Sequence, residues 1–221
     1  MNEPHDRHDH DHAHGAGHRH PPQADHDDAL TYYRRLEIAV RELLIQKGII
    51  TAAEVSKVIE DIESRSPEGG ARVVARAWDD TKFRELLLRD ATTALTSMGF
   101  ELALFLDTQL VVVENTPDVH NVVVCTLCSC YPRMLLGLPP AWYKSRAYRA
   151  RVVSEPRAVL REFGLEISDR VAVRVHDSTA DLRYLVLPMR PLRTERMNQA
   201  ELTALVTRDS MIGTAVCRAP E

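Results

Sequence analysis

The sequence VVVCTLCSCYP at residues 122–132 places three cysteines, Cys125, Cys128 and Cys130, within one short segment. An apolar β-branched run comes directly before them, and the turn-forming sequence Leu138–Pro140 follows soon after. Such a run bounded by turn residues predicts a strand, so we expect the cysteines to lie in the loop where that strand ends. In a reducing compartment, cysteines this close together indicate metal or redox chemistry rather than a disulfide framework.

Two common metal sites need a fourth ligand that the segment itself does not supply. A structural zinc site needs four ligands, usually from two separated pairs, and His120 is the nearby candidate for the fourth. An iron–sulfur cluster commonly has four thiolates, and the remaining cysteine, Cys217, stands alone near the end of the chain. Both kinds of site stay open at this point.

A single trivalent ion suits the Cys-Ser-Cys triplet better. The Cys128 sulfur, the amide nitrogens of Ser129 and Cys130, and the Cys130 sulfur can close consecutive chelate rings in one plane. Cys125 can then supply an axial thiolate, which leaves a sixth position open. Amides lose their protons only to a strongly Lewis-acidic metal such as Co(III) or Fe(III), and an open position on such a metal is typical of a catalytic site.

The hydrophobic pattern predicts a helical first part and a mixed second part. The predicted helices before residue 100 begin near Leu30, at the Thr51 capping box, at Ala71 and at Thr81, with a break at residues 67–70. After that come predicted strands and helices: strands Leu110–Val113, Val122–Val124, Val171–Val175 and Arg183–Leu187, and helices Pro140–Arg151, Pro156–Phe163 and a last one from Asn198 to Val206. The first two strands are expected to be buried on both faces. We therefore predict an α+β fold, in which a helical N-terminal arm precedes a mixed α/β metal-binding domain.

Residues 1–28 differ from the rest of the chain, because they carry eight of the ten histidines and a net charge of −5. They contain almost nothing to bury, so we predict a disordered His/Asp-rich tail. Imidazoles bind cobalt, nickel, copper or zinc with low specificity, and a solvated extension with incidental metal affinity is the alternative. The predicted organisation is thus a tail over 1–28, a helical arm over 29–99 and a catalytic domain over 100–221.

Composition excludes several classes of protein. No apolar run is long enough to span a membrane, and no secretory signal is visible, so a cytoplasmic protein with no membrane partner is expected. The isoelectric point of about 6.2 and the absence of a basic stripe argue against a nucleic-acid partner. The chemistry of the cysteine segment is therefore the strongest functional signal.

The motif CTLCSC at residues 125–130 resembles the metal-binding loop of the α subunit of cobalt-type nitrile hydratases. The resemblance extends over residues 30–216. Stretches that match in order are VVVENTP (111–117), HNVVVC (120–125), LGLPPAWYK (136–144), YRARVV (148–153), RYLVLP (183–188) and TRDSMIG (207–213). The γ subunit of thiocyanate hydrolase shares the same loop.

The resemblance implies a Co(III) ion, with iron as the alternative, held by Cys125, Cys128, Cys130 and the amides of Ser129 and Cys130. It also implies that Cys128 is oxidised to sulfinic acid and Cys130 to sulfenic acid, two steps that precede irreversible oxidation. Thr126, where iron-type members tend to have serine, favours cobalt. The Cys130 sulfenate would then act as nucleophile or base while a nitrile is hydrated to its amide, and Ser129 would contribute through its amide.

Four further residues are assigned by resemblance to the surroundings of the metal. Asp177, Asp181 and Arg183 would lie around it, where Arg183 would orient the oxidised loop and Asp181 would steady a water or a partner residue; a solvated ion pair in the strand and turn is the alternative. Arg133 departs from nitrile hydratases, most of which have tryptophan there, and resembles thiocyanate hydrolase. A cation in the pocket suits the thiocyanate anion, but it could also bind a polar heteroaromatic nitrile or turn away from the pocket.

The resemblance also implies partners. The active site of this family closes at an interface with one or two β-type subunits, so the chain alone should be poorly active, and an activator or metallochaperone could oxidise or load the loop. The segment Leu30–Met98 is amphipathic with little obvious core, and we expect it to wrap a partner; a helical layer on its own sheet is the alternative. A cobalt or nickel carrier without catalysis is the non-enzyme alternative.

Overall fold

A computed structural model describes residues 32–100, 108–128 and 130–220 of the chain. The predicted tail over 1–28 and the site residue Ser129 lie outside the described residues. The helices are α1 Tyr32–Gln46, α2 Ala52–Ser64, α3 Glu68–Asp79, α4 Thr81–Arg89, α5 Ala91–Thr96, α6 Arg133–Leu136, α7 Ala141–Lys144, α8 Arg146–Ser154, α9 Pro156–Glu162, α10 Gln199–Ala204 and α11 Arg208–Ile212. The strands are β1 Gln109–Glu114, β2 Val119–Val124, β3 Ala172–Asp177 and β4 Leu182–Leu187.

The first two helices begin and end where the sequence predicts. Gly48, just after α1, has a φ of +65°, which a residue without Cβ adopts at little cost. The capping box of α2 is present, because the Thr51 hydroxyl accepts from the Glu54 amide while the Glu54 carboxylate accepts from the Thr51 amide. None of the described helices is long and apolar enough to cross a membrane.

The third helix begins before the predicted position. The expected break at residues 67–70 is wrong, since α3 starts at Glu68 and contains Gly69 and Gly70. A Cβ on Gly70 would lie 2.7 Å from the Met211 sulfur and 2.8 Å from a Leu136 methyl carbon. These glycines therefore let α3 approach α6 and α11 closely, and this packing outweighs their low helix propensity.

The single helix predicted over 81–97 is two helices in the structure. Asp90 ends α4 and caps α5, with its carboxylate accepting from the Thr93 amide at 3.0 Å and from the Thr93 hydroxyl at 2.6 Å. An aspartate cap of this kind satisfies the free amides at the start of a new helix. Two short helices, α6 and α11, were not predicted from the sequence; α11 follows the helix from Asn198 that was expected to be the last.

The strands form two parallel pairs. β1 pairs with β4, with Val112 opposite Leu185, and β2 pairs with β3, with Val124 opposite Asp177. β2 is buried from residue 120 to 124, as predicted, but β1 has only one buried residue, Val112, so burial on both faces was wrong for β1. The four strands and the helices match the predicted α+β class.

One hydrophobic core joins α3, α4 and α5 to the strands and to the C-terminal helices. Val73, Val74 and Leu87 are almost fully buried in it. The expectation of little core in the helical segment was therefore wrong for α3–α5, which form a layer on the sheets. Among the residues that the structure describes, α1 and α2 have no buried side chain, so the expectation holds for them.

Candidate metal centre

The cysteine loop leaves the core at the end of β2. Val124 is the last residue of the strand, and Cys125, directly after it, is fully buried. The neighbouring strand β3 ends level with it, and the Ser178 amide donates to the Val124 carbonyl at 2.7 Å. Parallel pairing thus brings the cysteine loop and the β3–β4 turn out at the same edge.

The three cysteine sulfurs converge on one point. The Cys125 and Cys128 sulfurs are 3.4 Å apart, the Cys128 and Cys130 sulfurs are 3.1 Å apart, and all three lie within 4.8 Å of one another. The Cys128 amide also points at the Cys125 sulfur, at 3.3 Å. Cys125 is buried, Cys130 is partly buried and Cys128 is exposed, so this group of thiols faces solvent on one side.

The loop backbone is held at three places. The Asp177 carboxylate accepts from the Thr126 amide at 2.9 Å and from the Thr126 hydroxyl at 2.6 Å. Arg149 donates to the Cys128 carbonyl at 3.3 Å, and the Tyr143 hydroxyl donates to the Cys130 carbonyl at 2.9 Å. The loop is therefore fixed by side chains from three other segments of the chain.

The electrostatic surroundings keep the Cys130 thiol neutral. Burial, followed by hydrogen bonds to the Cys128 and Cys125 sulfurs, raises the pKa of Cys130 to about 12, and the positive charge of Arg183 acts in the opposite direction. A metal binds the thiolate form, so ligation through this sulfur releases a proton.

Two histidines near the loop, His120 and His176, form hydrogen bonds with other groups. The Asn115 amide group lies 3.3 Å from His120 Nδ1, and His120 Nε2 lies 2.7 Å from the Gly213 carbonyl, which fits a neutral ring that donates through Nε2. Burial lowers the pKa of His120. His176 Nε2 lies 2.8 Å from the Asn121 side-chain oxygen, so both rings belong to a polar network beside β2.

A family model described as the nitrile hydratase alpha chain matches residues 31–215. The chain belongs to the nitrile hydratase α-chain family. It is 48% identical over 202 residues to the high-molecular weight cobalt-containing nitrile hydratase subunit alpha of Rhodococcus rhodochrous, covering 90% of this chain and 98% of that one. It is 42% identical over 190 residues to the thiocyanate hydrolase subunit gamma of Thiobacillus thioparus, covering 82% of this chain and 78% of that subunit.

The fold of this chain is similar to that of a solved nitrile hydratase structure. A double mutant of the Fe-type nitrile hydratase from Comamonas testosteroni Ni1 superposes with a TM-score of 0.78 at 39% identity, covering 85% of this chain and 91% of that one. The names of these relatives include both cobalt and iron. The comparisons and the cysteine cluster together support a metal centre of the nitrile hydratase type.

Two other residues predicted for the site, Arg183 and Asp181, lie at the β3–β4 turn. Arg183, at the start of β4, folds over the β3–β4 turn and donates to the carbonyls of Thr179 and Ala180, close enough for its charge to act on Cys130. Asp181 is exposed in the same turn, and its backbone carbonyl accepts from the Gln109 amide at 2.7 Å. The roles of Arg183 and Asp181 stay predictions.

Arg133 is the first residue of α6 and is exposed, three positions after Cys130. Of the two predicted aspartates, Asp177 is the one that contacts the loop. The sequence predicted no functional role for Tyr143 or Arg149. The signal for both was their place in the matching stretches 136–144 and 148–153.

Proposed function

We propose that this chain is the metal-bearing subunit of a nitrile hydratase and that it hydrates a nitrile to the amide. The observation that carries the proposal is the convergence of the Cys125, Cys128 and Cys130 sulfurs in a loop of this family. A carrier of divalent cobalt or nickel is the non-enzyme alternative. The match of residues 31–215 to an enzyme family favours catalysis.

The sulfur positions fit binding of one metal ion. Thiolates bound to the same ion at about 2.3 Å lie only roughly 3.3–3.8 Å apart. The Cys125–Cys128 and Cys128–Cys130 sulfur separations of 3.4 and 3.1 Å are of that size, and the described neighbourhood of the loop supplies no histidine as a fourth ligand. The proposed ligands are therefore Cys125, Cys128 and Cys130 with the amides of Ser129 and Cys130.

We propose cobalt as Co(III) for this site, with iron as the alternative, and Cys128 and Cys130 in the sulfinic and sulfenic forms. When bound, the metal supplies a Lewis acid that polarises the nitrile. The oxygen on Cys130 would act either as the nucleophile that attacks the nitrile carbon or as the base that takes a proton from an attacking water, and one water is consumed for each amide formed. The positive charge of Arg183 stabilises the oxidised, anionic loop.

Hydrolysis of thiocyanate to carbonyl sulfide and ammonia is the second candidate. It is favoured by Arg133, an exposed cation three residues after the last cysteine, and by the similarity to a thiocyanate hydrolase subunit. A positive charge at the mouth of the site attracts an anionic substrate. In the nitrile hydratase reading, Arg133 instead binds a polar group of the nitrile.

The partner proposed for the chain is one or two β-type subunits. The helices α1 and α2 and the turn between them expose large apolar side chains that no described part of the chain covers: Tyr32, Tyr33, Leu36, Val40, Leu43, Ile49, Val58 and Ile59. Exposed apolar surface of this extent is typical of a protein–protein interface. The relatives' names describe them as subunits, which agrees with an assembly.

The test is to co-express the chain with its candidate partner subunits in cobalt-supplemented cells and to assay the purified complex. The substrates are a panel of nitriles and thiocyanate, and the products are amide, carbonyl sulfide and ammonia. We expect amide formation without thiocyanate turnover. Thiocyanate turnover would establish the second candidate, and inactivity with metal that chelators remove readily would establish the carrier.

A further inference from the structure

Two backbone carbonyls of the cysteine loop accept hydrogen bonds from side chains on neighbouring helices. Tyr143 on α7 donates to the Cys130 carbonyl, and Arg149 on α8 donates to the Cys128 carbonyl. Because the peptide group is planar, a hydrogen bond to its carbonyl limits rotation of the whole group. These two contacts therefore limit the backbone that carries two of the three sulfurs.

Arg149 differs from a neighbouring arginine in its charged partners. Arg151, on the same helix, forms ion pairs with Glu155 and Glu162, whereas no described carboxylate lies within ion-pair distance of Arg149. The Arg149 Nε is buried and has no hydrogen-bond partner among the described residues. A partly buried cation without a counter-charge is costly, and a loop of metal-bound thiolates supplies the missing negative charge.

Tyr143 is held more rigidly than Arg149. Its side chain is fully buried, with its ring 5.1 Å from that of Tyr131 and 5.8 Å from that of Tyr148. Burial raises the pKa of Tyr143, so its hydroxyl stays protonated and able to donate. The tyrosine thus presents a fixed donor to the last cysteine of the loop.

We infer that Arg149 and Tyr143 are positioning residues of the metal loop, which hold the Cys128 and Cys130 carbonyls and, through Arg149, place a positive charge beside the ligands. The inference rests on the proposed metal-bearing function, but it concerns how the loop takes and keeps its metal and not which substrate is used. Residues that support metal ligands in this way typically change metal affinity about 10–100-fold when they are removed.

The test for Arg149 uses the full chain, purified with its partner subunits from cells grown at limiting cobalt. Arg149→Met removes the charge, Arg149→Lys keeps it, and Arg146→Met is the matched control because Arg146 is an exposed arginine on the same helix. The readouts are cobalt per chain, the near-ultraviolet charge-transfer absorbance, oxygen on the cysteines by mass spectrometry, and the melting temperature. We expect at least a threefold loss of cobalt in Arg149→Met, a smaller loss in Arg149→Lys and none in the control.

The test for Tyr143 is a single hydroxyl deletion. Tyr143→Phe removes the bond to the Cys130 carbonyl, and Tyr131→Phe is its control, because the Tyr131 hydroxyl is also buried but has no hydrogen-bond partner among the described residues. We expect the charge-transfer band to shift or weaken in Tyr143→Phe and to stay unchanged in the control.

Unchanged cobalt content and absorbance in folded Arg149→Met and Tyr143→Phe would overturn the inference. If Arg149→Met does not fold, as shown by the lack of a cooperative melting transition, the test uses Arg149→Lys and Tyr143→Phe instead. Unchanged cobalt content and absorbance in these two variants would then overturn the inference. The outcome is separable from that of the proposed function. A complex that hydrates no nitrile can still show the cobalt and absorbance changes, and an active complex can lack them.

Discussion

Apolar side chains are exposed in α1 and α2 but buried in β2, the strand that leads into the cysteine loop. Val122, Val123 and Val124 in β2 are buried, while Leu36 and Val40 of α1 keep nearly half of their surface exposed. β2 is apolar along most of its length and α1 and α2 carry apolar stripes, but within the described residues only β2 is covered by its own chain. The difference teaches that an apolar stripe predicts a buried face without saying which chain covers it.

The largest expected effect concerns two glycines: Gly48, between α1 and α2, and Gly213, which follows α11 and packs against β2. Both have positive φ, +91° at Gly213 and +65° at Gly48. A Cβ on Gly213 would overlap the backbone carbonyl of Asn121, whereas a Cβ on Gly48 would meet nothing within 4 Å. We expect Gly213→Ala to lower the free energy of unfolding by roughly 3 kcal/mol or more and Gly48→Ala by about 1–2 kcal/mol. Urea denaturation of the full chain measures both, and equal losses would contradict the comparison.

A second pair compares the interior and the exposed helix directly. Leu87 is 1% exposed in α4 and Leu43 is 49% exposed in α1. Leu87→Ala should cost about 2–5 kcal/mol of stability through the cavity that it leaves. Leu43→Ala should cost less than about 1 kcal/mol in the isolated chain and instead weaken association with a partner subunit. Denaturation and binding measurements on both variants test this; a large stability loss for Leu43→Ala would mean that its own chain covers α1.

The smallest effect is a pH dependence that arises beside β2. Burial lowers the pKa of both His120 and His176 below that of the unfolded chain, so the unfolded chain binds more protons at mildly acidic pH. Stability is therefore fully present above about pH 6.5 and falls as the pH drops below it, by at most about 1.4 kcal/mol per pH unit for each ring. We expect His120→Gln to flatten the dependence of unfolding free energy on pH between 7 and 5. An unchanged slope would show that His120 does not titrate differently in the folded chain.

Local sequence signals were sufficient for part of the fold. The Thr51 capping box, the β-branched run of β2 and the Asn198 cap each lie within a few residues, and each was predicted close to its observed position. The early start of α3 could not be predicted, because its glycines are explained by contacts with α6 and α11, far away in the sequence. The same holds for the parallel pairing of the strands.

The candidate site, like the fold, was predicted from the sequence only where its residues lie close together along the chain. The three cysteines were identified from their spacing, since all of them lie in one segment. Asp177, Tyr143 and Arg149 contact the loop only because the fold brings together segments up to 51 residues apart. Resemblance placed Tyr143 and Arg149 in matching stretches and Asp177 near the metal, but only the structure shows that all three contact the loop.

The pairing of β2 with β3 also sets when the contacts of the cysteine loop can form during synthesis of the chain. A ribosome completes Cys125 well before Asp177, the residue that faces Val124 across the pair. At about 5–20 residues per second, this interval lasts roughly 3–10 s. During it, the nascent thiols have neither the neighbouring strand nor the carboxylate that later receives Thr126. The contacts that hold the start of the cysteine loop are therefore complete only after Asp177 has been made.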